Sequence, residues 1–194
     1  IDKIVVDTRR TIHPLKSFFI PPQRKVSEYF TSSSDSGEEK EKIVLGAKNC
    51  DLNALKILDS VYSGEKFGKE YRDPFYIQAR EKTILISSDC TSPDEFCFCT
   101  LVGSKPFPEE GFDLNLSPIK EGFIIQVGSE KGEKIIEEYE NLFSPVDQSM
   151  IKKREENREK IFKLVEKGNK EFFQYFWDSS GTIQYSHRIH YQSI

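Results

Sequence analysis

Three of the four cysteines in this 194-residue chain fall within ten positions, in Cys90-Thr91-Ser92-Pro93-Asp94-Glu95-Phe96-Cys97-Phe98-Cys99-Thr100. The fourth, Cys50, stands forty positions upstream in Lys48-Asn49-Cys50-Asp51-Leu52. Thiolates are soft anionic ligands, and an iron–sulfur cubane takes four of them. A local group of three with one remote partner supplies that number with none left over, and the remote ligand ties the site to the fold. The spacing is not the ferredoxin pattern of two-residue gaps. Cys50, Cys90, Cys97 and Cys99 are therefore the candidate metal- and cofactor-binding residues, with one 4Fe-4S cluster as the first reading. The same four thiolates suit a structural zinc ion, although zinc sites more often draw on two close pairs. Inert buried thiols, or a disulfide between Cys50 and Cys90, are the remaining readings.

The elements that must position these residues follow from the apolar pattern. Lys42–Ala47 reads as a buried strand of an α/β protein, and Asp51 as the N-cap of a helix carrying Leu52, Leu55, Ile57, Leu58 and Val61 that Gly64 closes. Asp73–Glu81 reads as a second helix with Pro74 at its first position, and Thr83–Ser88 as a second buried strand. Cys50 and Cys90 thus each follow an apolar strand, and two parallel neighbouring strands would deliver both thiols to one sheet edge, with the helices between as the crossover. Cys97 and Cys99, one residue apart, would share a face if they lay on a strand, with Phe96 and Phe98 directed elsewhere to exclude water. Strands are expected at Phe112–Leu116 and Phe123–Gly128, a helix from Ser129 through Leu142, and a long helix from Met150 to about Phe176. In that helix Lys152–Lys160 is nearly all charged, which predicts a solvent face and a narrow packing stripe. The fold class is α/β, a mixed or mostly parallel central sheet flanked by helices. The domain division is 1–144 for the cysteine-containing unit, 145–178 for the long charged helix and 179–194 for an unassigned tail.

Near the N-terminus, Ile4-Val5-Val6 reads as a short strand and Phe18, Phe19 and Ile20 as core anchors. Lys25–Phe30 suggests a helical turn, and the Ser-rich and charged run Thr31–Lys42 a mobile loop. At 37% hydrophobic and 12% aromatic residues the chain is too apolar for disorder and long enough for an ordinary core. A net charge of −4 with interleaved Lys and Glu argues against nucleic-acid binding. No apolar run approaches the roughly 18 residues of a spanning helix. The start carries no signal-like segment and no Met, which suggests a processed or trimmed product. Clustered cysteines among long charged helices point to a reducing, cytoplasmic setting.

Further segments carry a resemblance. They are Pro14-Leu15-Lys16-Ser17-Phe18-Phe19-Ile20-Pro21-Pro22, Leu45-Gly46-Ala47-Lys48-Asn49-Cys50-Asp51-Leu52-Asn53-Ala54-Leu55, and Asp73-Pro74-Phe75-Tyr76-Ile77-Gln78-Ala79-Arg80-Glu81. Cys90-Thr91-Ser92-Pro93 with Cys97-Phe98-Cys99-Thr100, Gly111-Phe112-Asp113-Leu114, and Val127-Gly128-Ser129-Glu130-Lys131-Gly132 complete the set. In order and approximate spacing, over about residues 7 to 177, the chain resembles the iron–sulfur electron-transfer subunit found as the beta subunit of sulfhydrogenases and as the corresponding subunit of anaerobic sulfite reductase. The resemblance implies that Cys50, Cys90, Cys97 and Cys99 bind one 4Fe-4S cluster. It also implies a non-catalytic subunit of an oxidoreductase complex in anaerobic metabolism, relaying electrons between a flavoprotein partner and a hydrogenase- or sulfite-reductase-type catalytic subunit. Members usually continue into a ferredoxin-like part with two further clusters, whereas no cysteine follows Trp177 here. Val102-Gly103 stands where the family has Met-Gly. The alternative function is a zinc-binding or metal-free structural or interaction domain.

Other residues carry less. His13, His187 and His190 are scattered, and Arg9, Arg10 and Arg188 read as solvated. No dinucleotide fingerprint, Walker loop, nucleophile elbow or paired-His helix motif is present. Asp51 and Arg80 are candidates for tuning a nearby cluster, Asp51 being first of all a helix cap.

Overall fold

The computed structural model describes residues 14–20, 23, 40–120 and 122–176, with side chains as far as residue 170. The expected strand at 4–6, the turn at 25–30, most of the 31–42 loop, the three histidines, Arg9, Arg10, Arg188 and the 179–194 tail lie outside the described residues.

Four strands form one sheet in the order β1 (Lys42–Ala47), β2 (Thr83–Ser88), β3 (Leu114–Ile119), β4 (Gly122–Val127). β1 and β2 are parallel, β2 and β3 are parallel, and β4 returns antiparallel to β3. Helices α1 (Asn49–Tyr62) and α2 (Pro74–Glu81) make the crossover from β1 to β2. α3 (Glu130–Glu138) and the long α4 (Gln148–Phe176) follow the sheet, confirming the α/β class. Among the described residues no helix is long and apolar enough to cross a membrane.

The core lies where α1, α2 and the N-terminal turn meet the sheet, around Phe19, Leu52, Leu55, Tyr76, Ala79, Leu85 and Phe112. Phe19 is an anchor and Ile20 packs beside it, whereas Phe18 is exposed. β1 is not the doubly buried strand expected. It ends the described sheet, and Ile43 and Leu45 face outward. An unbroken apolar run cannot distinguish a central strand from a half-exposed one.

Boundaries moved where capping decided them. α1 begins at Asn49, so Asp51 is not the N-cap. It sits in the first turn, and its carboxylate accepts a hydrogen bond from the Lys48 backbone N–H at 3.3 Å. Asp73 does cap α2, accepting from the N–H groups of Phe75 and Tyr76 at 2.9 and 3.2 Å. The helix expected through Leu142 stops at Glu138, and a 3-10 turn spans Glu140–Leu142. β3 starts two residues later than expected because Asp113 is used otherwise. Its carboxylate accepts from the Leu85 N–H at 2.7 Å and from the Ser129 hydroxyl, joining β2, β3 and the start of α3 before regular pairing begins.

Gly132 lets α3 approach this joint. A Cβ there would stand 2.1 Å from the Asp113 carbonyl oxygen, a backbone atom that cannot turn aside. Helix propensity alone says that Gly132→Ala stabilises by about 1 kcal/mol. The close approach says that it destabilises by about 1–3 kcal/mol through overpacking. Urea unfolding of the variant should therefore show a lower midpoint, and a raised midpoint would contradict this packing.

Candidate cysteine-lined centre

All four cysteines line one cavity of about 360 Å³. It opens beyond the carboxyl ends of β1 and β2, the edge of an open α/β sheet at which ligands gather. Cys50 enters from the first turn of α1, two residues after the strand-to-helix junction at Lys48. Cys90 lies two residues beyond the end of β2 and is held by its N–H donating to the Pro106 carbonyl at 2.8 Å. Cys97 and Cys99 come from the loop and turn that follow. All four are free thiols, so the Cys50–Cys90 disulfide is not formed, and Cys50 is the exposed one.

Cys97 and Cys99 are not on a strand. Cys97 closes a turn in which its N–H donates to the Asp94 carbonyl at 3.0 Å and the Asp94 N–H donates to the Cys97 sulfur at 3.1 Å. That second bond aims a donor at the sulfur. Cys99 opens a 3-10 turn, Cys99–Val102, that ends at Gly103 in the left-handed region. Phe96 and Phe98, expected to point elsewhere and exclude water, do not form a water seal. They are 69% and 54% exposed, with Phe98 on the cavity wall.

The wall is tied together across the chain. Asn49 donates to the Ser104 hydroxyl at 3.1 Å and the Lys105 carbonyl at 2.8 Å, and Asn53 donates to Ser104 at 2.8 Å. These bonds bind the start of α1, which carries Cys50, to the loop that follows Cys99. α4 supplies the rest. Asn169 donates to the Thr100 hydroxyl at 2.5 Å, and Val165 lines the cavity.

The residue that sequence reasoning missed is Arg158. It lies in the charged run assigned to solvent, yet it is buried. Its guanidinium donates to both oxygens of buried Asp89, at 2.7 and 3.1 Å, and to the Ser117 hydroxyl at 3.2 Å, and it stacks 4.6 Å from the Phe107 ring centroid. Asp89 immediately precedes Cys90. The available signal was its position in phase with Ile161 and Val165, one helical turn apart along the buried stripe. Arg80, by contrast, is not at the cysteines. It pairs with Asp59 at 2.8 Å on the wall of a second cavity, so it does not tune the centre by contact, while Asp51 sits beside Cys50 in the first turn of α1.

Burial pushes the Cys99 thiol above the ordinary thiol range, and the neighbouring Cys97 and Cys90 thiolates push it the same way. At Cys99 this disfavours the charged form that a soft metal needs, and a cationic centre beside it would reverse that balance. Among the described residues no three His, Cys, Asp or Glu side chains converge on one point as a single ion requires. The thiols surround a space instead. Thr91 also lines the cavity, and its hydroxyl oxygen is buried without a hydrogen-bond partner. Donor chemistry and the orphaned hydroxyl both fit a sulfur-rich group at this position.

The chain is 35% identical over 167 residues to the Sulfhydrogenase 2 subunit beta of Pyrococcus furiosus. Over this stretch the chain is similar to a sulfhydrogenase beta subunit. The match covers 84% of the chain and 48% of that protein, so the chain spans about half the length of this relative. No family model matches the chain, and no solved structure is significantly similar to it.

Two measurements check the geometry without any metal. Arg158→Ala leaves a buried carboxylate uncompensated and should cost about 3–5 kcal/mol in urea unfolding. Adding Asp89→Ala should return part of that loss, and fully additive losses would show that the two side chains are not paired. In reduced, metal-free protein, iodoacetamide should label Cys50 before Cys99 at about pH 8. Cys99 labelling should keep rising above the ordinary thiol pKa of about 8.5, because only the thiolate reacts. Identical pH profiles for the two would remove the basis for the crowded-thiol description.

Proposed function

We propose that Cys50, Cys90, Cys97 and Cys99 together hold one 4Fe-4S cluster and that this domain relays electrons inside a hydrogenase-type complex. The observation that carries the reading is that four thiols from separate parts of the chain line one cavity. Likeness to a sulfhydrogenase beta subunit supports the electron-transfer role. Its partners on this reading are a flavoprotein and the catalytic subunit of a hydrogenase- or sulfite-reductase-type assembly.

The chain's own residues have defined tasks. The parallel pair β1 and β2 delivers Cys50 and Cys90 to one edge. The N-terminal end of α1, where Cys50 sits, carries the positive end of the helix dipole, which favours a thiolate there. The Asp94 N–H donates to the Cys97 sulfur. Ile57, Val102 and Val165 give the wall apolar surface that lowers the local dielectric. When bound, the cluster supplies a one-electron redox centre whose potential follows net charge, burial and hydrogen bonds to sulfur. No residue here is assigned to make or break a substrate bond.

Anaerobic purification or reconstitution with iron and sulfide tests the reading. The expected result is about four iron and four sulfide per chain, with visible absorption that bleaches on reduction by dithionite. Cys50→Ser should fold and lose most of the iron. Stoichiometric zinc without sulfide would replace the cluster with a structural ion. Undiminished iron in Cys50→Ser would break the four-ligand assignment.

A further inference from the structure

Two of the polar groups on the wall of the cysteine cavity matter beyond the ligand set. The first is Thr91, adjacent to Cys90, whose hydroxyl oxygen is buried and unpartnered. A buried hydroxyl without a partner costs about 1–3 kcal/mol, so such groups persist where a bound group satisfies them. The second is Lys48, between β1 and Cys50. Its ammonium donates to the Ser88 hydroxyl at 2.6 Å and to the Asp89 carbonyl at 3.1 Å. Both acceptors stand at the end of β2, directly before Cys90. The charge is therefore fixed on the wall between the two strand ends that deliver Cys50 and Cys90.

The other charged groups on that wall are Lys105, which pairs with Glu109 at 2.6 Å, and Asp94, whose carboxylate accepts from the Phe96 N–H at 3.4 Å. Each is occupied with a neighbour in its own loop. Lys48 differs in being anchored across the sheet, so its position is set by the fold rather than by a loop.

We propose that Thr91 and Lys48 are positioning residues that set the reduction potential of the centre, Thr91 by a hydrogen bond from its hydroxyl to a cluster or cysteine sulfur and Lys48 by its fixed positive charge. This rests on the cluster reading above. Reduction adds one electron to a centre that already carries four thiolates, so its sulfurs become stronger acceptors and the field of a nearby cation becomes more favourable. Both groups favour the reduced form and raise the potential. A hydrogen bond involving a charged group is strong enough for its loss to be read in a titration.

The test is a dithionite titration of the reconstituted full chain under anaerobic conditions, followed by electron paramagnetic resonance, with iron and sulfide measured on the same samples. Thr91→Val should bind the same iron and sulfide as the unmodified protein. Its reduced-to-oxidised ratio at fixed poise should fall about tenfold, a shift of about 59 mV for one electron. Thr91→Ser keeps the hydroxyl and should keep the original potential. Lys48→Met should also shift negative, and Lys48→Arg should restore most of the difference. Should Thr91→Val not fold, Thr91→Ala removes the hydroxyl without adding bulk. An original potential in loaded Thr91→Val, Thr91→Ala or Lys48→Met overturns this inference and leaves the cluster reading standing. Unmodified protein that takes up no iron and sulfide overturns both.

Discussion

The bidentate contact between Arg158 and Asp89 is the constraint on which the cysteine edge depends. Asp89 sits between the last residue of β2 and Cys90, and it is also held by Asn115, whose amide donates to it at 2.9 Å. Arg158 reaches it from α4, sixty-nine positions away in sequence. A pair buried in this way is not a large net source of stability, because removing two charges from water offsets most of their attraction. Its effect is on register. Sliding α4 by one turn, about 5.4 Å, would separate the buried carboxylate from the buried guanidinium and leave both charges uncompensated. One arrangement of α4 on the sheet is thereby selected. That arrangement places Val165 in the cavity wall and Asn169 on Thr100, at the turn that carries Cys99.

The strand and helix order was readable because it rests on local rules. β1, β2, the capped start of α2 and the long α4 follow from apolar runs, an Asp-Pro start and helical spacing, and each lies within a residue or two of its expected position. The parallel pairing of β1 and β2 followed from the two helices between them. The exposed side of β1 was not readable, since an apolar run looks the same at the edge of a sheet as at its centre. The late start of β3 was not readable either. It depends on the Asp113 carboxylate taking the Leu85 N–H, a contact between residues 28 apart.

The site divides the same way. That Cys50 and Cys90 meet follows from strand topology. The conformation around Cys97 and Cys99 does not, because alternation governs paired strands and this segment lacks a strand partner. With no ladder to join, the chain turns on itself through Asp94 and then through the 3-10 turn at Cys99, and the flanking phenylalanines are left exposed. Arg158 departs from the expected solvent face for a related reason. A charged residue in a charged run is normally solvated, and the exception needs a buried partner that lies far away in sequence.

Charge balance connects that exception to the chemistry. A carboxylate one residue from Cys90 would, alone, oppose gathering four thiolates at the same edge, and the burial that already raises the Cys99 thiol would make the opposition stronger. Arg158 offsets that carboxylate from the side of α4, and the Lys48 ammonium stands against the Asp89 carbonyl from the side of β1. Two cations thus flank the segment entering Cys90, one anchored through each neighbouring element. The arrangement allows a buried acidic residue to fix register without setting a negative field against the thiolates, so the structural requirement at Asp89 and the electrostatic requirement at the cysteines are met by the same few contacts.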